Sequence, residues 1–131
     1  MTTLLALVAN GATYIAAVWI YLHAMAKEEA SRVTPWFLVI PAFGIGLAFF
    51  TLGELPSWYQ TIAIVGIVLA GFALSIKDGV ANKKVVGMML VSACLLAVND
   101  VIFAKFGREL NWTQALFADV LGKAFWGLMV L

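Results

Sequence analysis

The stretch Ser57–Ile76, SWYQTIAIVGIVLAGFALSI, contains no charged side chain. A continuous apolar run needs about 20 residues to cross the hydrocarbon core of a bilayer as a helix. In lipid, the backbone polar groups must be satisfied within the segment, and apolar runs of this length do not suit barrel strands. The stretch therefore predicts a membrane-spanning helix.

The residues just before this helix carry signals for a tight turn. Ser57 and Gln60 have the spacing of a capping box, which satisfies free amides at a helix start. Pro56 cannot continue a preceding helix, and Glu54 lies where the positive end of the helix dipole favours an anion. We therefore predict that Glu54, Pro56 and Ser57 form a structural turn. A direct role for Glu54 in binding a substrate or a proton is the alternative.

Four more apolar stretches flank this one, and charged or polar loops separate most of them. Together they predict an all-α protein, a multi-pass transmembrane helix bundle of about five spans. The predicted spans are residues 3–25, 35–52, 57–76, 85–106 and 115–131. In the third span, small residues at helical spacing predict a face for close helix packing, namely Ala63, Gly66, Ala70 and Ala73.

Composition agrees with a membrane protein and argues against several functional classes. Of the 131 residues, 64% are hydrophobic and 11% are charged, whereas soluble domains average about a quarter charged. The net charge of +1 favours no nucleic-acid partner. The chain has one His and one Cys, and no phosphate-binding loop or nucleophile elbow is recognisable. We expect no enzyme activity, no cofactor and no metal site.

Polar and aromatic residues recur along one stripe of the first span and one face of the fourth. At about 100° per residue, Asn10, Tyr14 and Tyr21 share the first stripe, while Asn99 and Phe103 share the second. Such a combination of amide, hydroxyl and aromatic groups suits a substrate cavity between helices. The alternative is that these residues only hydrogen-bond and fill space between helices.

Besides Lys105 at the end of the fourth span, three charged residues lie inside the last two spans. Asp100 precedes the loop between them, and Asp119 and Lys123 follow it at a spacing of four. If the two helices are antiparallel neighbours, Asp100 and Lys123 lie at similar depths, roughly 9 and 12 Å from the turn. We therefore predict that Lys123 points toward Asp100 and that Asp119 shares the cation. The alternative is that Lys123 extends to the interface and Asp100 faces a wet cavity alone.

One family resemblance covers most of the chain. The segment from Tyr21 to Ile76 resembles the EamA-like family of the drug/metabolite transporter superfamily. The features that carry the resemblance, in chain order, are Ser31-Arg32-Val33-Thr34-Pro35, Pro41, Leu52-Gly53-Glu54, Gln60, Gly66 and Gly71. In that family the pattern spans the third to fifth helices of a five-helix repeat, and Gly87–Gly107 looks like the first helix of a second repeat.

The resemblance implies a domain organisation. Residues 1–76 would be three helices at the end of a first repeat, 77–84 a linker loop, and 85–131 two helices at the start of a second. The chain would then be partial, corresponding to helices three to seven of a ten-helix member. Its partners would be the lipid bilayer, a small-molecule substrate, and either a second copy or the missing helices.

The resemblance also implies a function. The chain would be an integral membrane secondary transporter, or a fragment of one, in the bacterial inner membrane. It would move a small organic metabolite or drug by alternating access. One alternative is a non-transporting membrane subunit or truncated product that only packs with partner helices. A further alternative is a small multidrug-type dimeric carrier.

Basic residues are unevenly distributed between the loops. The loops at 27–32 and 77–84 carry more Lys and Arg than the other two, namely Lys27, Arg32, Lys77, Lys83 and Lys84 against Lys105 and Arg108. The positive-inside rule puts the richer loops in the cytoplasm. The family resemblance implies the opposite orientation, so both orientations stay open at this point.

Overall fold

The computed structural model describes every residue except 1, 54, 78, 80 and 131. Its described residues form helices and no strand, which confirms the predicted all-α helical bundle. The helices are α1 (Thr2–Met25), α2 (Ala30–Leu52), α3 (Trp58–Lys77), α4 (Lys83–Gly107) and α5 (Trp112–Val130).

Four of these helices have the dimensions of membrane spans. α1 to α4 contain 24, 23, 20 and 25 residues, and each is apolar enough to cross a membrane. The chain therefore has the helices of a multi-pass membrane protein. α5 contains 19 residues, and its middle carries Asp119 and Lys123.

The turn between α2 and α3 has the structure that its sequence predicts at the described positions. Gly53 ends α2 with φ 67°, and its N–H donates to the Phe49 carbonyl at 3.2 Å, a left-handed cap. The Ser57 N–H donates to Gln60 Oε1 at 2.9 Å, and the Gln60 N–H donates to Ser57 Oγ at 3.3 Å. These two bonds form the capping box. Pro56 lies in the non-helical segment before it, and the predicted role of Glu54 lies outside the described residues.

The helices lie side by side in the order α3, α2, α4, α1, α5. α1 packs extensively against α4 and α5, α2 packs against α3 and α4, and α4 touches α5 over a smaller surface. α3 contacts α2 alone among the described helices. The chain order therefore does not give the neighbour order, because α5 follows α4 but rests mainly on α1.

The small-residue face predicted in the third span does not contact α2. Ala63, Gly66, Ala70 and Ala73 are all exposed. The buried side of α3 instead carries Gly71 and Ser75. A Cβ built at Gly71 would lie 3.0 Å from the Pro35 carbonyl oxygen, in the 3₁₀ turn that α2 forms over Thr34–Val39. α3 therefore approaches α2 closely at a different glycine from the one predicted.

The centre of the fold is an antiparallel seam between α1 and α4. On both helices the buried seam residues recur every seven positions, which is the spacing of left-handed helix packing. They are Asn10, Ala17 and Ala24 on α1, and Val85, Ser92 and Asn99 on α4. The Ser92 hydroxyl donates to the Ala17 carbonyl at 2.8 Å. Small residues and interhelical hydrogen bonds hold helices together where apolar burial gives no net drive.

Candidate charged site between α1 and α5

The backbones of α1 and α5 touch where two glycines meet. A Cβ added at Gly11 would overlap the backbone of Gly122, and one added at Gly122 would lie 2.7 Å from Val8 Cα. The Trp126 indole N–H donates to the Val8 carbonyl at 3.0 Å, one turn further along α5. These contacts set both the distance between the helices and the rotation of α5.

That rotation turns two charged side chains of α5 toward α1. The Lys123 ammonium lies 2.6 Å from Asp119 Oδ2, and the two residues are one helical turn apart. The same ammonium lies 4.5 Å from the centroid of the Tyr14 ring, within the range of a cation–π contact. Lys123 is therefore held between a carboxylate and an aromatic face. We call Tyr14, Asp119 and Lys123 the charged site.

The charged site is largely closed but not fully satisfied. Asp119 is 6% exposed, whereas the Lys123 side chain keeps 29% of its surface accessible. Asp119 Oδ1 is buried and has no hydrogen-bond partner among the described residues. A buried carboxylate oxygen without a donor is costly, so this position favours a hydrogen-bond donor or a cation.

The charged site lies deep in the bundle. Tyr14 occupies the middle of α1, about 18 Å from either end at a rise of about 1.5 Å per residue. If α1 crosses a membrane, Lys123 lies near the bilayer centre. Ionisable groups at such depths are expensive, and they usually pair and mark substrate or ion pathways.

Two asparagines close to the charged site tie α1 to α4. The Asn10 amide donates to the Asn99 carbonyl at 3.0 Å, and the Asn99 amide donates to the Asn10 carbonyl at 3.1 Å. The Thr13 hydroxyl donates to the Asn10 backbone carbonyl at 2.5 Å and also lies 3.0 Å from Asn10 Oδ1. Both asparagines are 3% exposed. Their side-chain amides therefore hold α1 and α4 together. This is the alternative that the sequence offered to a role in substrate binding.

The remaining residues predicted to bind substrate lie apart from one another. The Tyr21 ring contacts Phe37 at 4.5 Å between centroids, toward the end of α1 where α2 begins. The Phe103 ring meets Trp112 edge-on at 6.5 Å, near the loop between α4 and α5. The five predicted residues thus spread along α1 and α4, and Tyr14 is the one that meets the charged site.

The predicted Asp100–Lys123 ion pair is not formed. Lys123 pairs with Asp119, while Asp100 is exposed and has no ion-pair partner in the described part of the chain. The physical reason is the packing of α5 on α1, which places the Lys123 ammonium over the Tyr14 ring and beside Asp119. Asp100 still lies close enough for Coulombic interaction with both Lys123 and Asp119.

Sequence reasoning missed the glycine contact that builds this site. A signal for it was present, because Gly122 directly precedes Lys123 and Gly11 directly follows Asn10. No protein-family model, curated protein or solved structure matches the chain.

Proposed function

We propose that the chain is a secondary transporter of the bacterial inner membrane, or part of one, that moves a small organic metabolite or drug by alternating access. The observation that carries the proposal is the Asp119–Lys123 pair at the depth of Tyr14, the middle of a candidate span. A protein whose helices only needed to pack would gain stability from apolar residues of similar volume there, because desolvating two charges offsets much of their attraction. The resemblance to EamA-like carriers adds support.

The charged site offers two arrangements, one with Lys123 nearer to Asp119 and one with Lys123 nearer to Asp100. Lys123 is partly accessible and has two carboxylates within electrostatic range, Asp119 on its own helix and Asp100 on α4. A shift of α5 on α1 at the Gly11–Gly122 contact would change which carboxylate is nearer to the ammonium. A substrate that binds one arrangement better than the other would shift the equilibrium, which is the thermodynamic requirement for alternating access.

The experiment measures uptake into proteoliposomes with a panel of radiolabelled amino acids, amines, nucleobases and organic acids. The expected result is accumulation of at least one compound by the wild-type chain and loss of that accumulation in Lys123→Met. Lys105→Met is the matched control, because Lys105 is an exposed lysine near the end of α4, and it should keep the activity. No uptake of any compound, or full uptake in Lys123→Met, would contradict the proposal.

A second candidate function is a membrane subunit that packs with partner helices and does not transport. α3 favours it, since α3 contacts α2 alone among the described helices and exposes most of its apolar surface. Under this alternative, neither the wild-type chain nor Lys123→Met would take up any compound, and Lys123→Met would only lower the stability of the chain. A Gly66→Trp substitution on the exposed face of α3 would reduce membrane abundance only when the partner is present.

A further inference from the structure

Two loops of the chain meet at one end of the bundle. Glu28, in the loop after α1, accepts a hydrogen bond from the Asn82 N–H at 3.2 Å, just before α4. The other Glu28 oxygen lies 3.6 Å from Arg32 Nη1. A Cβ at Gly79 would lie 3.7 Å from Arg32 Nε. The end of α1, the start of α2, the end of α3 and the start of α4 therefore share one end of the helix layer.

Four lysines surround these loops, and we call them the basic face. Lys27 follows α1, Lys77 ends α3, and Lys83 and Lys84 begin α4. All four are exposed, and none has an ion-pair partner among the described residues. Lys27 has one long contact, 3.9 Å from its ammonium to the sulfur of Met88.

The surroundings of the basic face leave its positive charge available. In the sequence of the two loops, five basic residues outnumber three acidic ones, Glu28, Glu29 and Asp78, and the carboxylate of Glu28 is already engaged by Arg32 and by the Asn82 backbone N–H. Lys83 and Lys84 occupy the first turn of α4, where the positive end of the helix dipole disfavours cations and favours an anion. A bound anionic group would therefore relieve an unfavourable arrangement as well as meet four cations.

We propose that the basic face binds the headgroups of anionic phospholipids in the adjacent leaflet. It lies at the ends of candidate spans α1, α3 and α4, which is the height of the headgroup layer when those helices cross a bilayer. Lysine stems run along apolar surface while the ammonium groups remain at the interface. Anionic leaflets attract clusters of this size next to membrane helices, and salt weakens the attraction.

The test uses the full chain in nanodiscs made of phosphatidylcholine with a trace of spin-labelled lipid. Electron paramagnetic resonance gives the association of labelled phosphatidylglycerol with the protein relative to labelled phosphatidylcholine. The wild-type chain should prefer phosphatidylglycerol. A triple variant, Lys77→Gln with Lys83→Gln and Lys84→Gln, should lose the preference several-fold, toward the value for phosphatidylcholine. The same substitutions to Arg should keep it, which shows that charge is responsible.

Matched controls decide the outcome. Lys84→Gln should lower the preference, whereas Lys105→Gln, near the opposite end of α4, should leave it unchanged. Inorganic phosphate, added at the same concentration of negative charge as the phosphatidylglycerol, should displace little of that lipid from the protein. An unchanged preference in the triple variant, an equal loss in Lys105→Gln, or full displacement by inorganic phosphate would each overturn the proposal. Transport activity plays no part in this readout.

Discussion

Gly11 and Gly66 are both glycines in the middle of long apolar helices, but their surroundings differ. A Cβ at Gly11 would overlap the backbone of α5, whereas one at Gly66 would have no described atom within 4 Å. On the α1–α5 side, the close contact accompanies the Asp119–Lys123 ion pair and a hydrogen bond from the Trp126 indole to the Val8 carbonyl. The outer face of α3 has none of these among the described residues. The comparison shows that small residues in a membrane helix do not by themselves identify an interface within the chain.

The largest difference should appear between leucine substitutions at Gly122, which contacts Gly11, and at Gly66. Gly122→Leu must push α5 away from Val8, so we expect it to lower the free energy of unfolding by about 3 kcal/mol or more. Gly66→Leu should change it by no more than about 0.5 kcal/mol. Unfolding by sodium dodecyl sulfate in mixed micelles, followed by circular dichroism, measures both. Equal losses in the two variants would remove the distinction between the two regions.

The next largest effect should come from separating the charges. Asp119→Asn leaves the Lys123 ammonium without its carboxylate in a largely buried position, and we expect a loss of about 3 kcal/mol. Adding Lys123→Met to Asp119→Asn should restore most of that loss, because no unpaired charge remains. The same unfolding measurement on the wild type, the two single variants and the double variant completes a double-mutant cycle. Strictly additive losses would show that the two residues are not a pair.

A smaller effect is expected at the seam between α1 and α4. Asn10→Leu removes the side-chain hydrogen bond to the Asn99 carbonyl, at a cost of about 1 kcal/mol, and leaves the Thr13 hydroxyl its bond to the backbone carbonyl of residue 10. Gln60→Leu, which removes one of the two exposed hydrogen bonds of the capping box on α3, should cost no more than about 0.5 kcal/mol. If Gln60→Leu lowered the free energy of unfolding more than Asn10→Leu does, the seam would not be the centre of stability.

The sequence allowed the elements to be predicted, but not their neighbours. Charges, Gly53 and Pro56 interrupt apolar runs, so the helices and the turn at Ser57 could be recognised. Neighbour order was not readable, because lipid tails are as apolar as the helix surfaces and hydrophobicity does not distinguish a protein-facing side. For the same reason the spacing of Gly66 predicts an interface that the described helices do not form, and the short loop after α4 predicts Asp100 as the partner of Lys123, which pairs with Asp119 instead.

The partner of Lys123 is the most direct test of the account. Magic-angle-spinning NMR in lipid bilayers can measure the dipolar coupling between ¹⁵Nζ of lysine and ¹³Cγ of aspartate. We expect one lysine–aspartate contact within about 4 Å, the range of an ion pair, that disappears in Asp119→Asn and persists in Asp100→Asn. A contact that disappears in Asp100→Asn and persists in Asp119→Asn would contradict the charged site and restore the pairing predicted from the sequence.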